Sequence, residues 1–281
     1  MLERYPTPDS TPPTPVRYPS ASPAQLSISA EINVATRKQH TELNRLIIKR
    51  LSLALPARPW GWRRGRSPAL LAQGIAAFAQ IYFEFESAWS AIERSPEKDE
   101  NGDMVHWLAN LRPRGLERTQ RLRGDLKRLG CSTAPALECR EPAQPGRLSG
   151  RPHTLIAYAW VMYMAIFSGG RWIRQQLADA GPEFELSFLY FDGDEDGEDL
   201  KRDFKAGLAR AEGLLSGQER EEVVEEAQAL FDRCIALVAV LDRELRWQYF
   251  RQVAIRGIVA TCIVWLLWLV STGGHLSWVG H

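Results

Sequence analysis

A charge imbalance, paired cysteines and strand patterning are all missing from this sequence. Thirty-five Lys and Arg face 34 Asp and Glu, a net charge of +1. The overall balance therefore gives no electrostatic reason to expect a nucleic-acid partner. The four cysteines (Cys131, Cys139, Cys234, Cys262) include no CxxC pair, which argues against a disulfide framework and for a reducing compartment. Apolar and polar residues do not alternate over a convincing strand length between residues 26 and 250. His106 and His153 lack a partner histidine at zinc-ligand spacing. Ser168 lacks the glycine two positions before it that a nucleophile elbow needs, because Ile166 stands there. The first 25 residues hold seven prolines and no apolar run. That composition builds no core and no signal peptide, and predicts a disordered arm over 1–25.

Helical periodicity fills most of what remains. A first helix is expected from about Ser29 to Leu53, with Thr36, His40, Leu43 and Ile47 on one stripe. A basic loop follows over 56–66. Ser67 then caps a second helix with Pro68 at its first position, and its stripe is Leu71, Ile75, Phe78, Tyr82, Phe85, Trp89 and Ile92. Shorter helices are expected around Val105–Leu111 and, strongly basic, around Arg114–Leu129; 130–152 reads as a Pro- and Gly-rich loop. Thr154–Ala180 is an apolar core helix ended by Pro182, and 183–191 is a short helix or an extended piece. A further helix is expected at about Leu200–Leu214. Ser216 to Glu219 is a capping box that opens a long helix with Val223, Ala227, Leu230, Cys234, Leu237 and Leu241 inward. The pattern predicts an all-α domain over 26–250.

The end of the chain is different. Gly257 to Val270 carries no charge, and the uncharged run extends to Val279 apart from a neutral His275. That length suffices to cross a bilayer. Trp265, Trp268 and Trp278 suit the interfaces, and Arg243, Arg246, Arg251 and Arg256 precede the run. The expected arrangement is a C-terminal membrane anchor over 254–279 with the helical domain in the cytosol.

Two segments carry candidate chemistry. His40 lies in Ala-Thr-Arg-Lys-Gln-His-Thr, on the apolar stripe of the first helix. Phe167-Ser168-Gly169-Gly170-Arg171 lies inside the apolar helix. Glycine in a helix interior costs roughly 1 kcal/mol relative to alanine, so two in succession need a reason: a close crossing or kink, or a flat ligand resting on bare backbone. Imidazole is the common proximal ligand to heme iron.

His40-Thr41 together with Ser168-Gly169-Gly170, in a helix opening with Ala157-Tyr158, resembles the heme oxygenase family. Tyr82 in Ile-Tyr-Phe-Glu-Phe-Glu, Glu225-Glu226-Ala227 with Phe231, and the hydrophobic tail fit the same family. The resemblance spans about residues 28–270. It implies a multi-helical single domain with a C-terminal transmembrane helix, acting as a monomer on the endoplasmic reticulum. It implies heme b as both cofactor and substrate, ligated by His40 and opened to biliverdin, carbon monoxide and ferrous iron. Oxygen and NADPH, the latter through a flavoprotein reductase, would complete the reaction. Backbone at Gly169 and Gly170 would cover the far side of the ring. Arg37, Lys205 and Arg210 would meet its propionates, and Tyr82, Tyr163 and Phe231 would line the site.

The family motif places glycine and aspartate three and two positions before the serine; here these are Ala165 and Ile166. The aspartate orders distal waters, which isoleucine does not do, so a non-catalytic heme-binding or interaction protein on the same scaffold is the alternative. The lysine expected seven residues before the ligand is Asn33. Tyr163 and Tyr82 are the polar groups that could support the waters instead. Asp192, Asp194, Asp196, Gly197 and Asp203 have the spacing of an EF-hand loop, but Asp stands at its twelfth position and there is no second copy. A solvated acidic loop is the competing reading.

Overall fold

The computed structural model describes residues 26–54, 68–94, 102–131, 148 and 150–273. The arm 1–25, the basic loop, the Ser67 cap, most of 130–152 and the last eight residues lie outside them. Among the described residues there is no strand. The helices are α1 (Ile28–Ala35), α2 (Arg37–Ala54), α3 (Pro68–Arg94), α4 (Gly102–Leu111), α5 (Thr119–Arg128), α6 (Leu155–Ala165), α7 (Arg171–Ala180), α8 (Glu198–Ala211) and α9 (Gly217–Gly273).

α6 is the central element. Every side chain from Leu155 to Tyr163 is buried, as its unbroken apolar sequence demands. α9 packs along α6, α2 and α1 through Val223, Ala227, Leu230, Cys234 and Leu241. Ser216 and Glu219 form the expected reciprocal cap: Ser216 N–H donates to the Glu219 carboxylate (2.8 Å), and Glu219 N–H to Ser216 Oγ (3.2 Å). α3 presents Leu71, Ile75, Tyr82, Phe85 and Trp89 inward.

Three sequence expectations are corrected. The expected helix from Ser29 to Leu53 is two helices, broken at Thr36, whose hydroxyl donates to the Ile32 carbonyl at 2.7 Å; such back-bonding bends helices. The expected helix from Arg114 starts only at Thr119. Its first free N–H groups find a distant acceptor: Arg118 N and Thr119 N donate to the buried Glu86 carboxylate at 2.7 and 2.9 Å. The segment 183–191 is two 3₁₀ turns, the second held by buried Asp125, which accepts from Ser187 N and Phe188 N at 2.9 Å.

Past Leu241, α9 leaves the core without a break. This is the one described helix long and apolar enough to cross a membrane.

Candidate functional site

α6 does not run straight into α7. Ile166–Gly170 forms a π-helical turn between them, a widened turn frequent at functional sites. It divides the segment by exposure. Ile166, Phe167 and Gly170 are buried, while Ala165 and Ser168 are exposed and Gly169 is half-exposed. The two glycines have different reasons to be there. A Cβ on Gly170 would lie 3.2 Å from Ile166 Cγ2 and 3.4 Å from Leu189 Cδ2, so Gly170 serves close packing. A Cβ on Gly169 would meet nothing within 4 Å. Gly169 is bare backbone facing open space, which a flat ligand could approach.

The turn is anchored from behind. The Phe167 ring stacks on Phe191 at 4.6 Å and 8°. The Arg118 guanidinium covers Phe191 at 4.4 Å and donates to the Tyr190 and Leu116 carbonyls. Gly197 (φ +79°) is required here, because a Cβ would lie 2.5 Å from the Phe191 ring.

His40 is exposed, although its stripe begins buried at Thr36. Its ring meets Phe231 of α9 edge-on, 5.9 Å between centroids. Neither ring nitrogen has a hydrogen-bond partner among the described residues. One turn beyond Phe231 on α9, Cys234 is buried beside Tyr82. Tyr82 O–H donates to the Met162 carbonyl at 2.8 Å, and Met162 precedes Ile166 by one turn of α6.

Tyr82 and Tyr163 sit in the core with their hydroxyls engaged. Tyr163 O–H donates to Glu86 at 3.0 Å. Burial, and then the Glu86 carboxylate, hold both phenols well above their usual range. They are proton donors at neutral pH, not bases. Met162, one turn before Ile166, is buried and was not singled out by the sequence; Cys234 is buried as its place on the inward face of α9 predicts, and burial pushes its thiol up to about 12.

Lys205 lies 5.8 Å over the Trp160 ring, whose indole N–H donates to Asn33 Oδ1 at 3.0 Å. These three residues line a groove of about 300 Å³ between α1 and α8, with Ser27, Ser29 and Glu212. Arg210 is exposed but does not line that groove. Arg37 is exposed on the same helix as His40, one turn before it.

The acidic loop does not converge on a cation site. Asp192 pairs with Arg121 (2.6 Å), Asp196 with Arg174 (2.6 Å) and Glu195 with Arg202 (3.3 Å). Among the described residues no cluster of three His, Cys, Asp or Glu could hold a metal ion.

The family model "Heme oxygenase" matches residues 71–240, more than half of the chain. The chain belongs to the heme oxygenase family. No curated protein matches it in sequence. Solved structures share the fold. A heme oxygenase of Leptospira interrogans has a TM-score of 0.55 at 17% identity, over 76% of this chain and 98% of that one. Heme oxygenase 2 of Chlamydomonas reinhardtii, solved without heme, gives 0.58 at 17%, over 77% and 98%. Heme oxygenase-1 of the cyanobacterium Synechocystis, solved in complex with heme, gives 0.58 at 15%, over 81% and 100%.

Proposed function

We propose that this chain binds heme through His40 and opens it to biliverdin, carbon monoxide and ferrous iron, using oxygen and electrons from an NADPH-dependent flavoprotein reductase. Two separate features support the reading: a π turn whose open side is nearly bare backbone, and an exposed imidazole on α2 with no hydrogen-bond partner among the described residues. The residues fit the group. Neutral imidazole is a ligand for iron, and Ala165, Ser168 and Gly169 leave a low surface for a flat ring. Bound heme would supply the iron that activates oxygen and is itself the substrate.

This chain's own residues then have distinct tasks. His40 would hold the iron. Gly169 would keep the surface at the π turn low, where a side chain would crowd the ring. Ser168, whose hydroxyl donates to the Met164 carbonyl at 2.8 Å, is the hydroxyl on that exposed face. Lys205 and Arg37 supply positive charge for propionates. The apolar end of α9 anchors a cytosolic, monomeric domain of residues 26–250 on a membrane, the endoplasmic reticulum.

A second reading, heme holding without ring opening, is favoured by one observation: Ile166 and Met162 are buried apolar side chains where the reaction needs ordered water. One experiment separates the two. Heme is titrated into the purified chain, then a reductase, NADPH and oxygen are added. Appearance of biliverdin absorption supports ring opening; a heme spectrum that stays unchanged supports the second reading.

A further inference from the structure

The stretch of α9 that leaves the core is unlike the apolar run after it. Leu241 is the last of its described side chains that is buried, and from Arg246 to Trp268 every described side chain is exposed. Three large rings come first: Trp247 is 70% exposed, Tyr249 57% and Phe250 64%. Exposed arginines surround them. Arg243, Trp247 and Arg251 are spaced four apart and so share one face, Arg246 and Phe250 share the next, and Arg256 lies further on. No protein element covers these rings among the described residues.

Charge identifies what does. From Leu245 to His281 there is no Asp or Glu. Asp242, just before, is tied to Arg50 of α2 at 2.5 Å. Glu244 is the one carboxylate within the collar 243–256, against Arg243, Arg246, Arg251 and Arg256, so the collar is net cationic, and Trp247 and Tyr249 give it rings with polar edges. Tryptophan and tyrosine settle at the headgroup level of a bilayer, and arginines just outside the hydrocarbon are drawn to anionic headgroups. The apolar run continues directly from the collar. We infer that residues 243–256 bind the headgroups of anionic phospholipids. This rests on the reading that the end of α9 crosses a membrane. Trp247 follows Leu241 by six residue steps of unbroken helix, about 9 Å at 1.5 Å per residue. The collar thus fixes the helical domain close to the bilayer and sets its orientation, with no flexible linker between.

The test uses the full chain reconstituted in phosphatidylcholine vesicles that contain a minority of brominated phosphatidylserine or, in parallel, brominated phosphatidylcholine. Tryptophan quenching reports which lipid gathers around the helix. Quenching by the brominated serine lipid is expected to be about twofold stronger at low salt, and to fall to parity in 0.5 M NaCl as screening shortens to roughly 4 Å. R243Q/R246Q/R251Q is expected to lose the preference while still resisting carbonate extraction, and R243K/R246K/R251K to keep it. Equal quenching by both lipids in a chain that resists extraction overturns the collar and leaves the anchor standing. Equal quenching accompanied by cross-linked dimers assigns the rings to a second copy and overturns it as well. Release by carbonate overturns both the anchor and the collar.

Discussion

Phe191 lies parallel to Phe167, 4.6 Å away, and through that contact a loop far along the chain holds the π-helical turn of the candidate site. The Arg118 guanidinium also lies over Phe191, and a Cβ on Gly197 would fall 2.5 Å from its ring. The turn is kept in shape from behind, which leaves its open side to a ligand.

Gly197→Ala combines a positive φ with a Cβ 2.5 Å from the Phe191 ring. It is expected to destabilise the fold by roughly 2–4 kcal/mol, from left-handed backbone strain and overpacking together. In F191A the Cγ and Cδ atoms that cause the clash are gone, so the same glycine change should cost less. Chemical denaturation of the two single variants and the double variant measures the coupling. Additive effects would remove Phe191 as the reason for the glycine.

Cys234 is buried and its thiol is pushed up to about 12. It is expected to resist iodoacetamide at pH 8 in the native chain and to react fully in denaturant. Peptide mass spectrometry reads this directly. Rapid native labelling at Cys234 would mean that the core beside Tyr82 opens.

Asp196 has its carboxyl held below the usual range by the hydrogen bonds from Arg174, with Arg171 adding charge. Because the folded value is lowered, the stabilisation is present above the unfolded value and disappears as pH falls through the folded one. Hydrogen exchange in 192–200 should therefore quicken as pH drops below about 4, after correction for intrinsic rates. Arg174→Gln should flatten the dependence. A wild-type loop equally protected at pH 3 and pH 6 contradicts the role of this pair.

Ile166→Asp puts a carboxyl where the side chain is 3% exposed and where the nearby Tyr82 hydroxyl already serves the Met162 carbonyl. The variant should lose about 2–3 kcal/mol of stability for a poorly satisfied polar group. Turnover per folded molecule should nevertheless rise if water order limits ring opening. Biliverdin formation normalised to bound heme is the measurement. A rate at or below wild type would remove Ile166 as the limiting residue.

Much of this architecture is legible locally. The Ser216–Glu219 cap, the α3 stripe and the inward face of α9 each depend on spacings of three or four residues. The acidic loop and α5 show where spacing misleads. The carboxylates of 192–203 have cation-binding intervals, but Arg121 and Arg174 occupy two of them, Asp192 and Asp196. α5 starts late because Glu86, 32 residues upstream, accepts its first N–H groups. At the site, His40 and the glycine pair stand out in the sequence, yet their division of labour does not. Only packing tells that Gly170 faces Leu189 and Gly169 faces open space. Tyr82 and Tyr163 look like free hydroxyls in sequence, and the fold commits both to partners in the core.

The most direct test is the ferric heme spectrum of the purified chain beside His40→Ala, with circular dichroism to show that both are folded. His40 is exposed and its only ring contact among the described residues is with Phe231, so the alanine variant should keep its fold. The wild type should give a saturable, stoichiometric Soret band with histidine ligation, and the variant should lose it or regain it only with added imidazole. An identical histidine-ligated band in both proteins would contradict the central claim.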